Sequence, residues 1–189
     1  MTKLRVVLDA CVLFPMYLRD TLLSTANEDF YLPYWSQKII DEVTGNLVKG
    51  GTLSQEKAKN LERTIKLAFP EAMVEVPIAL EQAMTNDPKD RHVLAAAVTA
   101  KVDIIVTNNL KDFRENDLAP WNIKAQSPDE FLSDLLDEYP DSIVELLQQQ
   151  SQKYKNPPKT FAELINFLGQ KAGTPKFASN MLLKVQRPE

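Results

Sequence analysis

Short apolar runs alternate with segments of helical periodicity through the first two thirds of the chain. Residues 4–8 and 102–106 have the length and composition of buried strands, and residues 30–35 form a shorter run of the same kind. Strands that are separated by helices pair in parallel through right-handed crossovers, with helices covering the sheet. The pattern therefore predicts a three-layer α/β domain built on a parallel sheet.

Weaker segments complete this pattern. Short strands are predicted at residues 73–76 and near Ile123. Ser36 is the expected N-cap of the second helix, and Gly50 and Gly51 follow the end of that helix. Helices are predicted around residues 21–26, 36–50, 54–69, 78–84 and 88–100.

The composition changes beyond residue 126. Ser127 and Thr160 each begin a segment with the cap and early acids of a helix start, and residues 141–152 form another helical segment between them. A chain of 189 residues with 44% hydrophobic content can bury one good core and a small appendage. We predict an α/β domain at residues 1–126 and a helical extension at residues 127–189, which is too short to form an independent core.

Charge is unevenly distributed along the chain, although the formal net charge is only −4. Residues 127–150 contain seven acidic and no basic residues, whereas residues 151–189 contain seven basic and two acidic residues. Two interpretations of this basic tail remain open: it contacts a phosphate backbone, or it is a solvated face that neutralises the acidic stretch before it. No run of eighteen apolar residues exists and the first strand follows directly on the start, so we expect a cytoplasmic protein without a membrane partner.

Carboxylates occur at the end of a predicted strand and at the start of a predicted helix. Asp9 follows the strand at residues 4–8, and Asp87 and Asp90 open an alanine-rich helix. Because Asp87 precedes a proline, it is the expected N-cap, which leaves Asp90 for a metal ion. Glu42 lies on the apolar stripe of its helix, where an unpaired carboxylate is costly. Ligands of parallel sheets bind beyond the carboxyl ends of the strands, and oxygen ligands suit Mg²⁺ or Mn²⁺.

Other polar residues near these acids have more than one interpretation. Thr107 either orders the loop or an attacking water by hydrogen bonding, or is a buried strand-end threonine. Arg19 either contacts substrate phosphate or belongs to a helix cap. Cys11 is predicted to pack as a small residue rather than act as a nucleophile, and His92 to be a surface or hydrogen-bonded residue rather than a base. One cysteine and one histidine cannot build a thiolate zinc site.

Four blocks of sequence, taken together, resemble the PIN-domain nucleases. They are Val-Val-Leu-Asp-Ala-Cys-Val-Leu at 6–13, Trp-Ser-Gln-Lys-Ile-Ile-Asp-Glu-Val at 35–43, Asp-Pro-Lys-Asp-Arg-His-Val-Leu-Ala-Ala-Ala at 87–97 and Ile-Val-Thr-Asn-Asn-Leu-Lys-Asp-Phe at 105–113. The blocks occur in the family's order and cover about residues 4–125. The resemblance implies a doubly wound parallel sheet and an acidic pocket that binds Mg²⁺ or Mn²⁺ and hydrolyses RNA, as in VapC-like toxins of bacterial toxin–antitoxin pairs.

The resemblance also assigns roles to individual residues. Asp9 and Asp90 match family acids that bind the ion, and Glu42 matches a helical glutamate that binds it or orients the attacking water. Most relatives have a fourth acid two residues after the threonine, where this chain has Asn109, and the nearest carboxylate is Asp112. Either Asn109 supplies an oxygen with less charge or Asp112 reaches the pocket through a longer loop. RNA and a cognate antitoxin are the partners that the resemblance implies, and homodimerisation is left open.

Two other functional classes are alternatives to a PIN-type nuclease. A haloacid-dehalogenase-like phosphatase needs a second acid two residues after the strand-end aspartate, where this chain has Cys11, which argues against it. A PIN-like scaffold that has lost activity and only binds RNA or a protein is favoured by Asn109. The four carboxylates of Asp9, Glu42, Asp90 and Asp112 together argue for the enzyme.

Overall fold

The computed structural model describes residues 3–185, which contain five strands and eleven helices. The strands are β1 Arg5–Leu8, β2 Leu32–Ser36, β3 Met73–Val74, β4 Ile104–Val106 and β5 Lys124–Gln126. The helices are α1 Ala10–Leu13, α2 Met16–Asn27, α3 Gln37–Lys49, α4 Gln55–Ala68, α5 Ile78–Ala83, α6 Arg91–Ala100, α7 Glu115–Leu118, α8 Pro128–Glu138, α9 Pro140–Lys153, α10 Phe161–Lys171 and α11 Pro175–Val185. None of these helices is long and apolar enough to cross a membrane.

The five strands form one sheet in the order β3-β2-β1-β4-β5, and every neighbouring pair is parallel. The prediction of a three-layer α/β fold with a parallel sheet is confirmed. In the central strand, Val7 pairs with Tyr34 on one side and Ile105 on the other, and its neighbour Leu8 pairs with Val106. This register brings the residues that follow β1 and β4 to the same edge of the sheet.

Local capping chemistry explains several helix boundaries in the α/β part. The side chain of Ser36 accepts a hydrogen bond from the Ile39 N–H (3.3 Å), so α3 begins where the sequence predicted. This helix ends at Gly50, and Gly51 adopts a positive φ of 68° that a residue with a Cβ rarely tolerates.

The helix predicted at residues 88–100 begins three residues later than expected. The Asp87 carboxylate accepts a hydrogen bond from the Lys89 N–H (3.0 Å), and the Asp90 N–H donates to the Asp87 carbonyl (2.9 Å). These bonds close a separate turn, so α6 starts at Arg91 and Asp90 occupies the N-cap position. The prediction that Asp87 caps this helix is therefore wrong.

Two compact units can be distinguished from the packing of the chain. The first contains residues 1–14 and 31–126, and the second contains residues 15–30 and 127–189. In the second unit α2 packs against α9 and α10, so residues 15–30 are grouped with the C-terminal helices. The division into an α/β domain at residues 1–126 and a helical extension at residues 127–189 remains a prediction.

Two contacts fix α11, which the sequence analysis did not predict. The Asp129 carboxylate of α8 accepts hydrogen bonds from the Lys176 N–H (3.2 Å) and the Phe177 N–H (2.8 Å) at the start of α11. A Cβ at Gly169 of α10 would lie 2.8 Å from the Cβ of Ala178, so only glycine permits this close helix contact. Helix α11, Pro175–Val185, is thus a packed part of the helical unit.

Candidate active site

Asp9 and Thr107 follow the adjacent parallel strands β1 and β4 and meet at the carboxyl edge of the sheet. The Asp9 side chain is almost fully buried, with 3% of the residue exposed. Its Oδ2 atom accepts a hydrogen bond from the Thr107 hydroxyl (2.7 Å) and another from the Cys11 thiol (3.1 Å). Because both bonds end on Oδ2, the carboxylate is held in a fixed orientation.

The same two partners order the loop that follows β4. The Thr107 hydroxyl oxygen accepts from the Asn109 N–H (3.0 Å), and the Cys11 sulfur accepts from the Asn108 N–H (3.2 Å). Burial and the nearby Asp9 carboxylate raise the pKa of the Cys11 thiol to about 12, so it stays protonated at neutral pH. Cys11 is a hydrogen-bonding residue within a helical turn, and its protonated thiol does not suit nucleophilic attack.

Replacing Thr107 with valine should destabilise the protein while keeping its shape. The buried Asp9 carboxylate would lose its hydroxyl donor, which costs about 1–3 kcal/mol in the free energy of unfolding. Urea unfolding in EDTA measures this difference, with Thr107→Ser as the control that keeps the hydroxyl. Equal stabilities of the valine and serine variants would show that the hydrogen bond to Asp9 contributes nothing.

Asp90 lies close enough to two other carboxylates for their charges to change its ionisation. Its side chain makes no capping hydrogen bond to α6. Burial is the largest cause that raises the pKa of Asp90 to about 6, and the negative charges of Asp9 and Asp112 are the next two. Asp112 ends a short 3₁₀ turn, Leu110–Asp112, after β4. Asp9 and Asp112 therefore both lie within electrostatic range of Asp90, and the three carboxylates form one acidic group.

Glu42 has a different neighbour from these three aspartates. Its Oε1 atom lies 3.0 Å from Nε2 of His92, which joins α3 to α6. The Glu42 side chain is partly buried, with 41% exposed, whereas His92 is buried with 1% exposed. Within the described residues neither ring nitrogen has a partner with good hydrogen-bond geometry, so the contact is one of ion-pair distance only.

The burial of His92 differs from the prediction made from the sequence. It was expected at the surface or in a hydrogen bond, and the structure buries it inside α6. The run Val93–Ala97 that follows it is apolar throughout, and the structure buries all of it. A helix that is apolar on every face is typical of a buried helix, so this run was the signal in the sequence. A positive charge on His92 would lower the pKa of Asp90, opposing the effect of the neighbouring carboxylates.

Arg19 lies on α2 in the second unit and is buried. Burial lowers the pKa of its guanidinium group, and the charge of Asp20 acts in the opposite direction. Its predicted contact with substrate phosphate remains a prediction.

The chemistry of these donors suits a hard divalent cation. All the candidate ligand atoms are oxygens, and the repulsion among Asp9, Asp90 and Asp112 is of the kind that a bound cation relieves. Between residues 3 and 185, no three His, Cys, Asp or Glu side chains are arranged as a ready metal cluster.

Two protein-family models match different parts of the chain. A PIN-domain family model matches residues 5–111, and a model described as the VapC50 C-terminal domain matches residues 128–182. A protein of Mycobacterium tuberculosis (strain ATCC 25618 / H37Rv) named "Putative ribonuclease VapC50" is 44% identical over 97 residues. That alignment covers 51% of this chain and 56% of the relative, so the match spans about half of the relative's length. No solved structure matches the chain significantly.

The PIN-domain match covers more than half of the chain, including Asp9, Glu42, Asp90 and Asn109. It agrees with the all-parallel sheet and with the four sequence blocks from which the resemblance was inferred. The chain belongs to the PIN-domain family and carries a C-terminal region of the VapC50 type.

Proposed function

We propose that this protein is an endoribonuclease that hydrolyses RNA phosphodiester bonds with the help of Mg²⁺ or Mn²⁺. The observation that carries the proposal is the acidic group of Asp9, Asp90 and Asp112 at the carboxyl edge of the parallel sheet. Of the three only Asp9 is buried, and Asp90 and Asp112 are half-buried. Carboxylates that repel one another away from bulk water destabilise a folded protein unless a cation or protons compensate their charge. A metal site accounts for their presence.

RNA is the proposed substrate because the curated relative is named as a ribonuclease. The same name places that relative among the VapC proteins, so we propose that this chain acts in the cytoplasm as the toxin of a toxin–antitoxin pair. Its second partner would be a cognate antitoxin.

The proposed mechanism assigns each side chain a task. Asp9 and Asp90 would bind the cation, and Asp112 or Asn109 would complete the pocket. The charge of Asp112 affects the pKa of Asp90, which favours Asp112 over Asn109 for this position. A bound divalent cation would supply charge stabilisation and lower the pKa of an attacking water.

Positioning within the site is done by neighbouring residues. Thr107 and Cys11 hold Oδ2 of Asp9 in place before any ligand arrives. Glu42 lies beside His92 at the α3–α6 contact, and from there it would orient the attacking water or bind the ion. Asp90 must lose its proton to act as a ligand, so the apparent Mn²⁺ affinity should increase as the pH rises through about 6.

A second candidate is a PIN scaffold that binds RNA or a protein without cutting. Asn109 at the position of a family acid favours it, as does the lack of a ready metal cluster among the described side chains. The two candidates differ in whether the native chain turns over substrate.

The test is incubation of the purified native chain with a mixed cellular RNA pool, in Mn²⁺ and in excess EDTA. The proposed enzyme cuts RNA in Mn²⁺, stops in EDTA and recovers when Mn²⁺ is restored. Intact RNA with Mg²⁺ and Mn²⁺, from protein whose folding has been checked by circular dichroism, would support the inactive scaffold instead.

A further inference from the structure

Three aromatic rings meet on the surface of the second unit. The ring centroid of Tyr17 in α2 lies 4.9 Å from that of Tyr154 and 4.6 Å from that of Phe167 in α10. Both contacts are edge-to-face, with interplanar angles of 89° and 69°. All three side chains are half-buried, so part of the cluster is open to solvent.

Hydrogen bonds fix this cluster in position. The Tyr154 hydroxyl donates to Oδ2 of Asp20 (2.9 Å) and accepts from Nε2 of Gln150 (2.8 Å). Gln150 in turn accepts from the Thr21 hydroxyl (3.1 Å), and its Nε2 reaches the carbonyl oxygen of Tyr17 (3.3 Å). Rings held in this way lose little conformational entropy when a ligand stacks on them.

Three lysines lie close in sequence to Tyr154, and one of them contacts the aromatic rings. Lys153 ends α9, and Lys155 and Lys159 belong to the turn that leads into α10, which is closed by a bridge between Lys155 and Pro158. The Nζ atom of Lys159 lies 4.9 Å from the Tyr17 ring centroid and 5.7 Å from that of Phe167. We refer to Tyr17, Phe167, Lys153, Lys155 and Lys159 as the lysine–aromatic surface.

Two of these three ammonium groups lie within electrostatic range of a carboxylate, Lys153 near Asp20 and Lys159 near Glu163. Residues 146–162 contain no acidic residue. In the described part of the chain none of the three lysines forms a salt bridge within 4.0 Å. The charge of Lys153 lowers the pKa of Asp20, and the charge of Lys159 lowers the pKa of Glu163. In both cases the lysine is the weakest of several causes.

Two further lysines of the tail, Lys176 and Lys184, have acidic neighbours. The charge of Lys176 contributes to lowering the pKa of Glu130, behind the hydrogen bonds from Ser127. Lys184 lines an open cavity with Asp141 and Glu145. Lys176 and Lys184 thus lie beside carboxylates of the acidic stretch at residues 127–150, whereas Lys153, Lys155 and Lys159 belong to the segment 146–162, which contains no acidic residue. The lysine–aromatic surface therefore has an excess of positive charge.

We propose that the lysine–aromatic surface binds single-stranded RNA, with lysines contacting phosphates and a base stacking on the Tyr17 ring, whose orientation the edge-to-face contact with Phe167 fixes. A polyanion complements the excess positive charge, and stacked bases require exposed aromatic surface held rigidly, as found here. The inference rests on the proposed function in taking RNA as the substrate, and it adds a binding surface on the helical unit. Lys159 over the rings would exchange its cation–π contact for a phosphate when a base enters.

The test measures RNA binding without cleavage. Fluorescence anisotropy in EDTA follows binding of the full chain to a labelled oligouridylate of about 15 nucleotides, which spans a typical single-strand site. The triple variant Lys153→Gln, Lys155→Gln, Lys159→Gln is compared with the matched control Lys171→Gln, Lys176→Gln, Lys184→Gln. Both variants remove three positive charges from exposed or half-exposed positions of the same unit.

We expect the first variant to weaken binding at least about tenfold and the control to change it less than about twofold. The slope of log Kd against log salt should fall by about 0.7 for each lysine that contacts a phosphate. Tyr17→Leu should weaken binding by about tenfold with an unchanged salt slope, since it removes stacking and leaves the charges in place.

Several results would overturn the proposal. They are the absence of oligouridylate binding by the native chain, equal losses in the two triple variants, or native affinity in the first variant. In the last case a protein partner becomes the better occupant of the surface. Cleavage assays separate this proposal from the nuclease: if the native chain cuts no RNA but the first variant loses binding, only the proposed function fails.

Discussion

Replacing Asp90 with asparagine should stabilise the metal-free protein at a pH well above 6. In the folded chain, burial and the charges of Asp9 and Asp112 raise the pKa of Asp90 from 3.8 to about 6. Because the folded value is the higher one, the folded state binds more protons between these values, and stability is lost as the pH rises from about 4 through 6. Asparagine carries no charge and avoids this loss.

The expected gain is about 1 kcal/mol after allowance for the solvent exposure of Asp90, or about 2–4 °C in melting temperature for a chain of this size. Thermal unfolding in EDTA measures it. The internal control is the same comparison at a pH well below 6, where Asp90 is protonated in the folded state and the two proteins should melt closer together. A variant that is less stable than the native chain at high pH would show that Asp90 has a structural role.

Mn²⁺ should reverse this order of stabilities. A cation that binds only the folded native chain stabilises it by about 2.7 kcal/mol when its concentration is a hundred times the Kd. The Asp90→Asn variant would lose a ligand and most of this gain. A residue that reduces stability in EDTA and increases it in Mn²⁺ is a metal ligand rather than a structural acid.

Replacing Asp9 with asparagine should lower Mn²⁺-dependent RNA cleavage at least about a thousandfold, which corresponds to about 4 kcal/mol of lost transition-state stabilisation. The amide oxygen can still accept the hydrogen bond from Thr107, so the fold should persist while the charge that binds the cation is lost. Single-turnover cleavage of a labelled RNA measures the rate.

The matched control for Asp9 is Asp41→Asn. Asp41 is an exposed carboxylate on α3 that accepts a hydrogen bond from Gln37, and its loss should leave the cleavage rate within about twofold of the native value. If the Asp9→Asn protein is folded and keeps more than a tenth of the native rate, Asp9 does not bind the catalytic cation.

Features set by neighbouring residues were predictable from the sequence. The caps at Ser36, Ser127 and Thr160 each join a side chain to an N–H three residues ahead, and all three are present in the structure. The parallel sheet followed from the alternation of strands and helices. The meeting of Asp9 and Thr107 then follows from the pairing of β1 with β4.

Features that depend on distant contacts were not predictable in the same way. The start of α11 is capped by Asp129, which lies more than forty residues earlier in the chain. A capping residue so distant in sequence gives no local signal from which this helix could be predicted. Asp87 forms a turn rather than a helix start because its carboxylate accepts a hydrogen bond from the Lys89 N–H. The burial of His92 beside Glu42 depends on the contact of α3 with α6, which no spacing in the sequence specifies.

The most direct test asks whether the carboxylates of Asp9, Asp90 and Asp112 form the active centre of a ribonuclease. It measures Mn²⁺ binding and Mn²⁺-dependent RNA cleavage on the same preparation. Calorimetry gives the Mn²⁺ affinity of the native chain, and a titration of cleavage gives the Mn²⁺ concentration at half-maximal rate. We predict that the two values agree and that Asp9→Asn abolishes both signals. Cleavage that persists in Asp9→Asn, or a native chain that binds Mn²⁺ at this site and cuts no RNA, would contradict the account.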